Sequence, residues 1–282
     1  MALPSHAEPI DKVYYYGFRF VCTLIFIFLI APIFVIIPLS FNAEPYFTFS
    51  TGMLHFDPAA YSTRWYQDFW NNKEWIHSLQ NSFIIAIAST ILATTLGTIA
   101  ALGLSRPHMP FRGLIMGLLI SPMIVPLIIS AAAMFFFYSS IGLSQTYAGI
   151  ILAHTALGIP FVVITVTATL SSFDQSLVRA AQNMGADMRT TFFKVILPLI
   201  TPGVISGALF AFITSFDEVV VVLFLSSFEQ RTVPRQMWSG IREEISPTIL
   251  AVATILIAIS VVLLVVVELL RRRSVRIRGI RE

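Results

Sequence analysis

Six apolar runs, each long enough to cross a bilayer, leave this 282-residue chain little choice of environment. They cover residues 18–39, 83–104, 114–138, 147–170, 204–225 and 249–270. A spanning helix needs roughly 20 consecutive apolar residues. A soluble domain carries about 25% charged residues, whereas this chain has 12%, with 56% apolar residues. The expectation is an all-α integral membrane protein with six transmembrane helices. The first run is too long for the apolar core of a signal peptide, and no small-residue cleavage site follows it, so it is read as a retained helix.

Positive charge sets the direction, because cytoplasmic loops hold an excess of Lys and Arg. With both termini inside, 13 of the 18 Lys and Arg residues fall on the cytoplasmic side and 5 outside. The reverse arrangement inverts that ratio, so N-in, C-in is expected. Residues 1–17 are then a cytoplasmic segment, 18–270 the membrane domain and 271–282 a basic tail. Its Arg271, Arg272 and Arg273 suit a stop at anionic lipid headgroups, and a plain topology anchor accounts for them equally well. The basic balance does not point to nucleic acid, since the charges end apolar segments instead of forming a stripe with aromatics. All four Trp residues, Trp65, Trp70, Trp75 and Trp238, fall in the outer loops. The segment 61–75 therefore reads as an interfacial belt or as a landing surface for an extracytoplasmic partner.

The loop 171–203 has an internal pattern. Within 174–184, Leu177, Ala180, Ala181 and Met184 recur at helical spacing, and Asp174 is placed to cap that helix. Gly185 turns the chain because it tolerates positive φ. A second amphipathic stretch follows, and Leu197-Pro198 is expected to end it, since proline cannot continue the hydrogen-bond ladder. The product is a helix-turn-helix knob, with an amphipathic linker lying on the bilayer as the alternative.

Ala180, Ala181, Gly185, Val195, Leu197 and Pro198 stand at the spacing of the cytoplasmic loop motif of binding-protein-dependent ABC importer permeases, which this chain resembles. It departs at Arg179, where the family has Glu, and at Val195, where it has Ile. Stretches at 121–126, 153–161, 215–222 and 233–256 look like the spermidine/putrescine branch. The resemblance implies the type I importer permease fold. It implies a knob that docks on a separate ATPase dimer, where ATP and magnesium are bound. It also implies a second permease, usually a different related chain, a periplasmic substrate-binding protein, and residence in the bacterial inner membrane.

Asp217 and Glu218 lie inside the fifth run. A carboxylate within a span costs about 2.5–3.5 kcal/mol on insertion scales and faces a cavity or protein interior. Gly203, Gly207, Ala211 and Ser215 recur every four residues and form a small-residue stripe that lets helices approach closely. On a regular helix Glu218 falls in the middle of that stripe and Asp217 at its edge. Both carboxylates, with Ser215, are candidates for a pathway that passes a cationic solute. The alternative is structural: Asp217 caps a broken helix or pairs with an arginine of a partner. His154 is expected as a hydrogen-bonded interior histidine. Pro122, Pro126 and Pro160 are expected to kink the third and fourth spans.

Other chemistry lacks its residues. No phosphate-binding Gly-x-x-x-x-Gly-Lys motif occurs, and the three Lys residues are Lys12, Lys73 and Lys194. Cys22 is the lone cysteine. No His/Cys cluster has metal-ligand spacing, and no nucleophile is paired with a base. The chain is therefore expected to bind no cofactor and catalyse no reaction. Two competing functions stay open: an ion-coupled carrier using Asp217 and Glu218, and a membrane adaptor whose loop recruits a cytoplasmic protein. Among imported solutes, a polyamine suits two acids, and an amino-acid derivative or an aminophosphonate remains an alternative.

Overall fold

The computed structural model describes residues 9–106, 108–171, 173–174, 176–243 and 246–277. The chain divides into two compact units, one of Met1–Asn72 with Glu244–Val265, the other of Lys73–Glu243 with Val266–Glu282.

In the first unit, α1 runs over Pro9–Leu39, so it begins well before the apolar run at residue 18. Proline suits this first position because its missing N–H would be unsatisfied there anyway. A folded connection follows, with a single turn at Thr51–Leu54 and α2 at Arg64–Asn71. The Trp65 indole donates to the Asn42 carbonyl at 2.7 Å, and Ser40 and Tyr66 share a 2.6 Å hydroxyl contact. Thr248 donates to Asp68 at 2.7 Å and so ties in the start of the last helix.

The second unit is built on three helices: α3 (Lys73–Leu104), α6 (Tyr147–Ser171) and α8 (Met188–Phe216). Each packs along the other two. Gly203, Gly207, Ala211 and Ser215 are all buried. A Cβ on Gly207 would lie 2.8 Å from the Val162 backbone, and one on Gly158 would lie 3.0 Å from Ala211. The stripe thus brings α8 onto α6 at backbone-contact range, as small residues allow where no hydrophobic effect drives helices together. The third apolar run is not one helix. It breaks into α4 (Arg112–Ile124) and α5 (Leu127–Ser140), bent by 103°. Pro126 forces Val125 into extended backbone and supplies no N–H. Pro122 and Pro160 are accommodated inside continuous helices.

The fifth run also departs from the expected 204–225. One helix, α8, runs from Met188 to Phe216, and the short α9 (Val220–Leu225) follows a break. Leu197-Pro198 therefore does not end the second stretch of the loop. The turn Phe192–Ile196 is π-helical, and the Leu197 N–H reaches back five residues to the Phe192 carbonyl. Widening the turn just before the proline lets the chain remain helical where a tight α-turn would clash.

The remaining helices are α7 (Ser176–Asn183), α10 (Val233–Glu243) and α11 (Thr248–Ile277). Among the described residues four helices are long and apolar enough to span a membrane, or five if the bent pair is one span. The basic tail at 271–282 lies outside the described residues, apart from the α11 backbone to Ile277.

Candidate functional site

The loop 171–203 folds into α7, a turn at Gly185 and the opening turns of α8. Ser176 anchors the start: its N–H and hydroxyl donate to Asp174 at 2.8 and 2.7 Å. These two bonds, with a weaker pull from Arg179, hold the Asp174 carboxyl below its usual range. Gly185 has φ +83°, a conformation that carries no Cβ penalty only for glycine. Asp187 then caps α8, accepting from the Thr190 N–H at 3.0 Å. Ala181 faces inward and is buried. Leu177, Arg179, Ala180 and Met184 are exposed, Met184 at 82%. Val195 and Leu197 are half-buried in the π turn and the turn after it, and Pro198 is exposed. The knob thus presents an apolar face framed by a positive charge. Its second limb is the opening turns of the long apolar helix α8, not a separate element.

The second candidate lies at the other end of α8. Asp217 follows the last helical residue, its N–H on the Ile213 carbonyl. Glu218 is outside the helix, so it does not continue the small-residue stripe as regular geometry required. It is 7% exposed, and its carboxylate accepts from the Val221 N–H at 2.8 Å, capping α9. A carboxylate that can satisfy the first N–H groups of a new helix favours a break over continuation. Asp217 is exposed.

Ser215, in the last turn before the break, is buried. Ser89 on α3 donates to it at 2.9 Å, and the His154 ring nitrogen Nδ1 on α6 lies 2.7 Å from its oxygen. One polar contact therefore joins all three core helices. Ser89 was not among the residues picked from the sequence. The signal for it is present: Ser78, Ser82, Ala86, Ser89, Ala93, Gly97 and Ala101 are all buried at spacings of three or four on α3. Also unforeseen is a clamp on the segment between α9 and α10. The His77 ring lies 2.7 Å from the Glu229 carbonyl, and Asn81 and Tyr147 donate to the same carbonyl at 2.7 and 3.1 Å. No local pattern reveals it, because its groups meet across more than 80 residues of sequence and converge on a backbone atom.

Residues 93–276 match the family model described as the binding-protein-dependent transport system inner membrane component. The chain is 31% identical over 251 residues to the spermidine/putrescine transport system permease protein PotC of Haemophilus influenzae, covering 89% of this chain and 95% of that one. It is 30% identical over 240 residues to the putrescine transport system permease protein PotI of Escherichia coli, covering 82% of each. Among solved structures, a bacterial ABC transporter involved in import of the acidic polysaccharide alginate superposes with a TM-score of 0.70 at 16% identity, over 95% of this chain and 99% of that one. That likeness is one of fold. The family match covers well over half of the chain, and the conclusion is direct: this protein belongs to the binding-protein-dependent transport system inner membrane components, as a multi-pass permease and not itself an enzyme.

Proposed function

We propose that this chain is one transmembrane subunit of an ATP-driven importer that moves a small cationic solute, a polyamine such as spermidine or putrescine, delivered by an external binding protein. Two chains similar to it over most of their length are polyamine permeases by name. The observation that carries the ATP-driven part is the knob. Its exposed face of Leu177, Ala180 and Met184 suits docking on a cytoplasmic ATPase dimer, and its second limb is continuous with α8. At about 1.5 Å per residue, the 29 residues of α8 form a lever of roughly 44 Å. A push at residues 179–198 then moves the break at 217–219 as part of one body, the kind of rigid-body shift that switches transporters between states.

In this reading 18–270 is the permease domain, 1–17 and 271–282 are cytoplasmic, six spans run N-in to C-in, and the partner permease is a different related chain. Asp217 meets the cationic solute. Glu218 holds the break that exposes Asp217, and Ser215 locks the end of α8 to α3 and α6.

The test is purification of the tagged chain from its native membrane with its partners, comparing wild type with an Ala180→Arg, Met184→Glu variant. The wild type is expected to bring an ATPase with it, and the variant to lose it while remaining folded. A wild-type chain that purifies alone and folded, or a variant that keeps its ATPase, would overturn the proposal.

A further inference from the structure

The connection after α1 contains a segment whose chemistry differs from the rest of that loop. Between Glu44 and Asp57 there is no Asp, Glu, Lys or Arg. The segment is nonetheless folded. The Asn42 amide donates to the carbonyls of Tyr46 and Thr48 at 3.2 and 2.9 Å, and its oxygen accepts from the Glu44 N–H at 3.0 Å. Ser50 caps the Thr51–Leu54 turn through the Met53 N–H, and the Tyr61 hydroxyl donates to the Met53 carbonyl at 3.2 Å. Met53 is buried, and a Cβ on Gly52 would lie 2.9 Å from that of Ala60.

This scaffold turns Tyr46, Phe47, Phe49, Leu54 and Phe56 outward. Leu54 is 65% and Phe56 82% exposed. Phe56 has φ +57°, a conformation uncommon for a residue other than Gly, Asn or Asp and one that stores strain.

We infer that this segment is a membrane-interface anchor, with its aromatic and leucine side chains inserted among lipid headgroups and upper acyl chains at the end where α1 emerges. Continuity is one argument. The Ser40 N–H bonds back to Ile36 and the Asn42 N–H to Leu39, so the loop begins on the last turn of the span. Charge is the second. The part of the loop held by α2 carries Arg64 and Asp68, whereas residues 45–56 carry no Asp, Glu, Lys or Arg, and the ring of His55, the one His among them, lies 2.8 Å from the Thr51 carbonyl. Protein interfaces deplete charge in their centre but keep it at the rim, while lipid disfavours it throughout the inserted depth. The carbonyls of Tyr46 and Thr48 and the N–H groups of residues 53–57 find partners within the segment, which lowers the cost of placing outward Phe, Tyr and Leu at the headgroup level.

The test is nitroxide scanning of the assembled transporter in lipid nanodiscs. Cys22→Ser removes the native thiol, and Leu54→Cys, Phe56→Cys and, as an aqueous control on α2, Gln67→Cys are labelled singly. At 54 and 56, collisions with oxygen are expected to be frequent and collisions with a water-soluble nickel chelate rare, with the reverse at 67. Frequent nickel collisions at 54 and 56 would show the segment in water. Low collision rates with both reagents would show it covered by protein, a partner permease or the binding protein. Either result overturns the anchor.

Discussion

Asp187 does a small task that a measurement can isolate. Its carboxylate accepts from the Thr190 N–H at the start of α8, and those hydrogen bonds, from the Thr190 side chain and backbone, pull its pKa below the usual carboxylate value. A folded-state pKa below the unfolded one means the cap contributes fully above the ordinary carboxylate range. Its contribution is lost as pH falls through the lowered value. Amide exchange at Thr190 is expected to accelerate in Asp187→Ala and change little in Asp187→Asn, since asparagine also caps. At acid pH the wild type should approach the Ala variant. The two carboxylates at the far end of α8 differ from each other as clearly. If Asp217 meets a cationic solute as proposed, Asp217→Asn is expected to lower uptake about tenfold or more with assembly intact, since it removes only an exposed charge; 1.4 kcal/mol corresponds to tenfold. Glu218→Gln keeps an acceptor for the Val221 N–H and should leave the folded transporter stable, whereas Glu218→Ala leaves that N–H open and should lower its melting temperature. Uptake by Asp217→Asn equal to wild type would remove Asp217 from the solute path.

Between elements, the contact of α6 and α8 is the tightest described. Gly207→Ala places a methyl 2.6 Å from the Thr165 hydroxyl and 2.8 Å from the Val162 backbone. Backbone cannot step aside as a long side chain does, so the helices must separate, at about 1–3 kcal/mol. A thermal melt of the purified transporter should show that loss. Gly117→Ala on α4 meets nothing within 4 Å and serves as the matched control. The stripe on α8 was readable from sequence because a period of four in small residues is local information. The knob was readable for the same reason: Gly185 and the alanines before it stand at fixed offsets within one loop. The continuation of α8 through Pro198 was not, because a π turn and an α turn contain the same residue types and differ by one hydrogen-bond register. The break after Phe216 was not the leading expectation either: it stood only as an alternative, with Asp217 as the capping residue, whereas the cap is Glu218. Glu218 lies in an apolar run, and nothing local shows that its carboxylate caps α9 instead of riding on α8. Nor was the bend of 103° between α4 and α5, since proline in a span is compatible with a mild kink as well as with a full break.

For the molecule as a whole, the open quantity is parity. Four described helices are long and apolar enough to cross, and the α4–α5 pair makes a fifth if its two arms count as one passage. The described apolar part of α11, Thr248–Val262, is shorter than a span. Its sequence continues apolar to Val267, ahead of Glu268 and Arg271, and at 1.5 Å per residue the stretch from Thr248 to Val267 comes to roughly the 30 Å that a bilayer core requires. An even number of crossings puts both termini on one side and an odd number separates them. Six crossings also place the Arg271, Arg272 and Arg273 cluster in the cytoplasm, as the distribution of positive charge demands. Five would set that cluster outside, against the same rule. Fluorescent-protein fusions at each end, which fold only in the cytoplasm, are expected to shine at both. Alkaline phosphatase fused at the same points, active only outside, should be silent at both. If the carboxy-terminal phosphatase fusion is active, then either α11 fails to cross or α4 and α5 form a re-entrant hairpin. A third phosphatase fusion in the 141–146 turn decides between these. With the amino terminus inside, activity there means that the bent pair crosses and that α11 is the helix that stays on one side. Silence there means that the pair re-enters.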